Sequence, residues 1–136
     1  MTPHTAELSQ NVDKTVGQIE ADRYLSALLG SERTGCHLLL KGFRSVLAYQ
    51  HRTMVINSSN SALAKAGTGD VLTGMIAGLL AQNVEPVQAT ATASYIHGRM
   101  ADEWVRSGHD RRSLTASDLR DHLPTLMSRL SHGAIV

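Results

Sequence analysis

The stretch Ala66-Gly67-Thr68-Gly69-Asp70-Val71-Leu72-Thr73-Gly74-Met75-Ile76-Ala77-Gly78-Leu79-Leu80 decides how this chain is read. Two glycines ahead of an apolar run allow a turn whose N–H groups point outward. Aspartate is a strong N-cap residue, so the pattern predicts a helix from Asp70 to about Gln82. Its apolar positions (Val71, Leu72, Met75, Ile76, Leu79, Leu80) cover more than half the helix circumference, which predicts a buried helix. Gly74 and Gly78, four apart, permit close backbone approach. A helix N-terminus of this kind stabilises an anion such as a phosphate in transfer. Asp70 beside it is placed to accept a proton from a reacting hydroxyl. The same residues also suit a plain turn with Asp70 as a cap. No Gly-Lys-Ser/Thr follows and position 72 is leucine, so neither the P-loop nor the dinucleotide fingerprint is present.

Upstream, Thr2-Pro3-His4 is an extended entry, because proline disfavours helix in the residue before it. His4 is positioned to meet a polar ligand, to pair with Glu7, or simply to face solvent. A stripe from about Thr15 to Leu29 predicts a helix stopped by Gly30. Cys36 to Leu40 reads as a short buried strand with Cys36 as an inert core residue. It ends at Lys41-Gly42-Phe43-Arg44-Ser45, where Gly42 lets backbone approach a nucleotide and Ser45 can hydrogen-bond it. A hairpin turn with a solvated Lys41 is the alternative. Ser45 to Tyr49 and Thr53 to Ile56 predict a hairpin around Gln50-His51-Arg52. Asn57 to Ser61 is a polar loop, and Ala62 to Gly69 a small, flexible connection. Downstream, Pro86 opens an alanine-rich helix to about Val105, with His97 and Trp104 as packing residues. Thr115-Ala116-Ser117-Asp118 opens a final helix through Leu130. Strands first and helices last suit an α/β fold only with partner elements beyond this set.

Composition narrows the function classes. The 136 residues are 42% hydrophobic and 18% charged, which fits one folded domain and excludes a disordered or fibrous chain. A net charge of +1 and an aromatic content of 4% offer little to nucleic acid or an acidic membrane. The apolar run Met75 to Ala81 is far too short to span a bilayer. Met1-Thr2-Pro3-His4 lacks the charged-then-apolar pattern of a secretion signal. One cysteine excludes an internal disulfide and, with the rest, points to the cytoplasm. The seven histidines show no metal-ligand spacing, so no protein metal site is assigned. Arg106 to Arg112 reads as a solvated loop.

Taken in order, these segments resemble the ADP/ATP-dependent NAD(P)H-hydrate dehydratase family of the ribokinase-like superfamily. Thr2-Pro3-His4-Thr5-Ala6-Glu7 is similar to that family's Thr-Pro-His-Pro-Gly-Glu, and Ala21-Asp22-Arg23 to its Ala-Asp-Arg. Lys41-Gly42-Phe43-Arg44-Ser45 is similar to its Lys-Gly-x-x-Thr turn. Asn60-Ser61-Ala62-Leu63-Ala64-Lys65 running into Ala66-Gly67-Thr68-Gly69-Asp70 is the most specific match. Tyr95-Ile96-His97-Gly98 and Ala116-Ser117-Asp118-Leu119 fall where the family has similar words. Thr5, Ala6 and Ser45 depart mildly from the pattern, and Ser59 replaces a glycine.

The resemblance implies a ribokinase-like three-layer α/β/α sandwich, with residues 1–136 as the C-terminal part of a single dehydratase domain. It implies repair of nicotinamide nucleotides, in which the S form of hydrated NADH or NADPH is dehydrated using ADP, or ATP, with AMP and phosphate released from ADP. On that basis His4 and Asp70 contact the hydrated nicotinamide nucleotide, while Lys41, Gly42, Phe43, Arg44, Ser45 and Gly69 contact the adenine nucleotide. Asp70 is the base, Gly67 to Gly69 form the anion hole, Mg2+ accompanies the nucleotide, and the assembly is a homo-tetramer. An ATP-dependent small-molecule kinase of the same superfamily and an inactive, truncated nucleotide-binding fragment are the competing expectations.

Overall fold

A computed structural model describes residues 1–58 and 60–133; Ser59, the glycine replacement noted above, lies outside the described residues. The chain runs α1 (Thr5–Ser9), α2 (Val16–Ala21), α3 (Arg23–Thr34), β1 (Leu38–Leu40), β2 (Ser45–Tyr49), β3 (Arg52–Ile56), a 3-10 turn (Ser61–Leu63), α4 (Thr68–Ala81), α5 (Pro86–Arg106) and α6 (Ala116–Ser131). The strands form an antiparallel sheet in the order β1-β2-β3. The extended Met1–Pro3 segment lies along the outer side of β1. The Leu39 N–H donates to Met1 O (2.8 Å), the Lys41 N–H donates to Pro3 O (2.8 Å), and the Met1 amino group donates to His37 O (2.7 Å). That offset is the parallel pattern.

Alternation along the strands produces three layers. Leu38, Leu40, Val46 and Ala48 pack on Leu8, Val12, Ile19 and Ala27 of the N-terminal helical layer. Leu39, Leu47 and Ile56 face the other way, onto Leu72, Ile76 and Ala93 of α4 and α5. Having both faces covered explains the uninterrupted Leu38-Leu39-Leu40. A further cluster joins α5 to α6 through Ile96, Met100, Leu119 and Leu126. No helix among the described residues is long and apolar enough to cross a membrane.

Several sequence expectations are corrected. The helix expected from Thr15 to Leu29 is two, broken at Asp22 (φ −142°, ψ 83°), whose carboxylate accepts from the Leu25 N–H at 3.0 Å and caps α3. Gly30 does not stop it; it lies buried in α3, where a Cβ would crowd Leu8 and Leu38, and the stop is Gly35 in the left-handed conformation. Cys36 is exposed and precedes the strand, so it is not a core residue. The helix α4 starts at Thr68 with Gly67 as its N-cap, which places Asp70 third in the helix rather than at the cap. It is not enclosed: Thr68, Leu72 and Ile76 are buried, while a Cβ at Gly74 or Gly78 would meet nothing within 4 Å. The connection before it is fixed by hydrogen bonds. Thr68 Oγ1 contacts the Leu63 and Lys65 carbonyls (2.7 and 2.9 Å), and Lys65 Nζ donates to the carbonyls of Arg112 and Leu114. The hairpin around Gln50-His51 and the capped openings of α5 at Pro86 and of α6 at Thr115 match expectation.

Candidate active site

The site is built around the first turn of α4. Gly67 takes φ +82°, and no side chain caps the helix. The Asp70 and Val71 N–H groups bond back to Gly67 O at 3.1 and 3.2 Å. Among the described residues, the N–H groups of Thr68 and Gly69 have no acceptor, which leaves two of the orphan donors that every helix start carries. Lys41 reaches the same point from the end of β1: a Cβ at Gly69 would stand 3.2 Å from Lys41 Nζ. Two amides, an ammonium group and the positive end of α4 therefore converge on one spot, with the Asp70 carboxylate one residue on.

Lys41 is held from two sides. Arg23 Nη2 donates to the carbonyls of Leu40 (3.2 Å) and Lys41 (3.0 Å), and its Nη1 pairs with Glu20 at 2.8 Å. Gly42 leaves room for that guanidinium, since a Cβ there would lie 2.6 Å from Nη2. In front, Glu7 Oε2 stands 3.8 Å from Lys41 Nζ. The His4 N–H donates to Glu7 Oε2 at 2.6 Å and, with the Lys41 ammonium, holds that carboxyl below the usual range. His4 Nδ1 in turn accepts from the Glu7 N–H at 3.1 Å, so the His4-to-Glu7 segment is a closed capping box. Thr2 Oγ1 lies 3.1 Å from Thr73 Oγ1, tying the N-terminal segment to α4.

Two clefts meet at this turn. One, of about 600 Å³, is lined by Lys41, Gly42, Phe43, Ser45 and Gly69, with Asn60, His97 and Asp102 on its far wall. The other, of about 710 Å³, runs between α4 and α6, with Gly67 and Asp70 at its end and Gly74, Met75 and Arg120 along it. Both have the size of a small-ligand site.

A family model described as NAD(P)H-hydrate dehydratase matches residues 1–125. The chain belongs to the NAD(P)H-hydrate dehydratase family. It is 39% identical over 131 residues to the bifunctional NAD(P)H-hydrate repair enzyme Nnr of Moorella thermoacetica, covering 96% of this chain and 24% of the relative. It is 35% identical over 130 residues to the ADP-dependent (S)-NAD(P)H-hydrate dehydratase of Bacillus subtilis, covering 95% and 47%. The fold is similar to that of the B. subtilis ADP/ATP-dependent NAD(P)H-hydrate dehydratase co-crystallised with ATP/Mg2+ and soaked with CoA. That match has a TM-score of 0.88 and 34% identity over 94% of this chain and 47% of that one. It is also similar to a ribokinase-like superfamily protein of Enterococcus faecalis, with a TM-score of 0.77 and 25% identity over 94% and 43% of the two chains. This dehydratase-family chain thus has the ribokinase-like α/β fold and spans about half the length of the single-function dehydratases it matches, and less of the bifunctional enzymes.

Within this dehydratase-family framework the predicted residues divide. Lys41, Gly42, Ser45, Gly67, Gly69 and Asp70 gather around the α4 turn, and His4 joins them through Glu7 and Lys41. Ser45 turns back to Gly42 O at 3.4 Å, closing the turn. Phe43 is 77% exposed at the cleft mouth, with the Arg44 guanidinium 5.5 Å from its ring centre. Arg44, at φ +58°, does not line the cleft. Sequence reading gave no role to Arg23, Asn60 or Asp102, and read His97 as a packing residue. Asn60 Nδ2 donates to Asp102 Oδ1 at 2.8 Å and joins the loop to α5. The similarity of Ala21-Asp22-Arg23 to a family word was the available signal for Arg23. Nothing local distinguishes Asp102.

Proposed function

We propose that residues 1–136 form the C-terminal part of a single dehydratase domain that dehydrates the S form of hydrated NADH or NADPH with ADP as phosphoryl donor. The observation that carries this reading is the convergence of the Lys41 ammonium, the acceptor-free N–H groups of Thr68 and Gly69, and the Asp70 carboxylate where two clefts meet. Lys41 to Ser45 and Gly69 contact the adenine nucleotide, and His4 and Asp70 contact the hydrated nicotinamide nucleotide. Asp70 accepts the proton of the ring hydroxyl as its oxygen bonds to the β-phosphorus of ADP. The bond from that phosphorus to AMP breaks, and the Gly67–Gly69 turn and Lys41 stabilise the charge on the moving phosphoryl group. Phosphate then leaves with the C–O electron pair while a neighbouring ring carbon gives up a proton, which restores the double bond.

Among the described residues, no three His, Cys, Asp or Glu side chains gather to hold a metal. That donor set fits a magnesium ion carried on nucleotide phosphates, with Asp70 the nearby carboxylate, rather than one caged by protein. Bound so, the ion offsets phosphate charge. The reading places the protein in the cytoplasm as a homo-tetramer, ATP being the other nucleotide it accepts. Incubating the protein with hydrated NADH, ADP and Mg2+ and following absorbance tests the activity. Return of the NADH band with one AMP formed per turnover is expected. ADP consumed on another hydroxyl compound, with no NADH returned, overturns the reading in favour of a kinase.

A further inference from the structure

The Tyr95-Ile96-His97-Gly98 word lies on α5, where His97 forms part of the wall of the nucleotide cleft and takes no part in the proposed chemistry. His97 is only 7% exposed, and its Nε2 lies 2.9 Å from the carbonyl oxygen of Thr68. A carbonyl oxygen only accepts, so Nε2 carries the hydrogen and the tautomer is fixed. Burial lowers the imidazole pKa to about 4, which keeps it neutral and its donor constant around neutral pH.

The partner is what gives this bond a consequence. The Thr68 carbonyl and the Gly69 N–H belong to one planar trans peptide unit and point in opposite directions. Holding the carbonyl therefore aims the Gly69 N–H the opposite way, out of the N-terminal end of α4, and a Cβ on that residue would lie 3.2 Å from Lys41 Nζ. A second clamp, Thr68 Oγ1 on the Leu63 and Lys65 carbonyls, keeps the same residue from turning. The next residue of α5 seats Ser58, which also lines the cleft. Gly98 has no Cβ, and one placed there would come within 2.8 Å of the Ser58 carbonyl oxygen. One turn of α5 thus contacts both Thr68 and Ser58 of the cleft lining.

We propose that His97 is a positioning residue for the nucleotide phosphate: through the Thr68–Gly69 peptide it aims the Gly69 N–H into the anion hole. The proposal rests on the nucleotide reading above, and the test separates the two. Binding of Mg·ADP and of adenosine is measured by calorimetry on the wild type, His97→Phe and His97→Gln, with thermal melts as a check on folding. Losing the donor should weaken Mg·ADP about tenfold in His97→Phe and leave adenosine within about twofold, since the base and ribose do not use the hole. His97→Gln, whose amide can donate to the same carbonyl, should recover most of the ADP affinity. His97→Asn, one bond shorter, serves in place of the Phe variant should that variant not fold. Equal ADP binding in all variants overturns the positioning role and leaves the nucleotide reading intact. So does an equal loss of adenosine and ADP, which would mark His97 as packing alone. Absence of ADP binding to the wild type overturns the nucleotide reading itself, and this inference with it.

Discussion

The first turn of α4 and the side of the same helix two turns on are made of similar small residues, yet their surroundings are opposite. At the first turn nearly every polar group is tied: Thr68 by its hydroxyl and by His97, Asp70 N–H by Gly67 O, Lys41 by Arg23 behind it. The two groups left without an acceptor there, the N–H donors of Thr68 and Gly69, are those a phosphate would take. Along the side, Gly74 and Gly78 adjoin open space, and with Met75 they line the cleft between α4 and α6. Glycine makes room in both places. At the turn the room is for a charged group; on the side it is room that the described residues do not fill. Chemistry at the turn should therefore respond to substitution independently of packing along the helix.

The largest expected effect breaks the turn's chemistry without touching its packing. Asp70→Asn should lower NADH restoration by about 100-fold or more, the usual weight of a positioned base, while ADP binding and the melting temperature stay close to wild type. A loss of turnover that tracks a loss of folded protein would place Asp70 in the structure rather than the reaction.

Next in size is a contrast within the helix itself. Leu72, 5% exposed between the sheet and α5, should cost about 2–4 kcal/mol as Leu72→Ala. Gly78→Ala on the open side, where a Cβ would meet nothing within 4 Å, should change stability by at most about 1 kcal/mol and in the stabilising direction. Denaturant melts of the two variants measure the difference; similar losses would mean that the open side is covered in solution.

The pH dependence of stability sharpens the buried end further. His97 takes a proton in the unfolded chain near 6.5 and in the folded chain only near 4. Between those values the unfolded state binds more protons, so stability falls as pH falls. That contribution amounts to about 2 kcal/mol between pH 7 and pH 5. The carboxyls held low by hydrogen bonds and ion pairs, Glu7, Glu20, Glu103 and Asp118, add their losses later, as pH drops through the carboxylate range. Melts at pH 7 and 5 should show the early loss in wild type and little of it in His97→Gln.

Where information is local, the sequence was legible. Thr115-Ala116-Ser117-Asp118 marks a helix opening, Pro86 a helix start, and Gln50-His51-Arg52 a hairpin; each forms, the hairpin tighter than read because Arg52 already pairs with Tyr49. The glycine turn into α4 was legible for the same reason, although the helix starts two residues earlier than read, with Gly67 and not Asp70 as its cap. What failed depends on partners distant in sequence. The apolar girth of α4 suggested enclosure, but burial depends on what packs alongside. Cys36 has the residue type of a core position but lies two residues ahead of β1. Gly30 looked like a stop because its close approach to Leu8 and Leu38 is invisible in one dimension. His97 could only be read as packing, because its partner Thr68 lies 29 residues away.

The central claim is that the first turn of α4, with Lys41, is an anion hole for a nucleotide phosphate. An amide-resolved NMR titration of the protein with Mg·ADP tests it most directly. The account predicts that the Thr68 and Gly69 amide signals shift farthest and saturate together with the β-phosphorus resonance of ADP. Shifts that leave Thr68 and Gly69 unmoved while ADP binds elsewhere on the chain would contradict it.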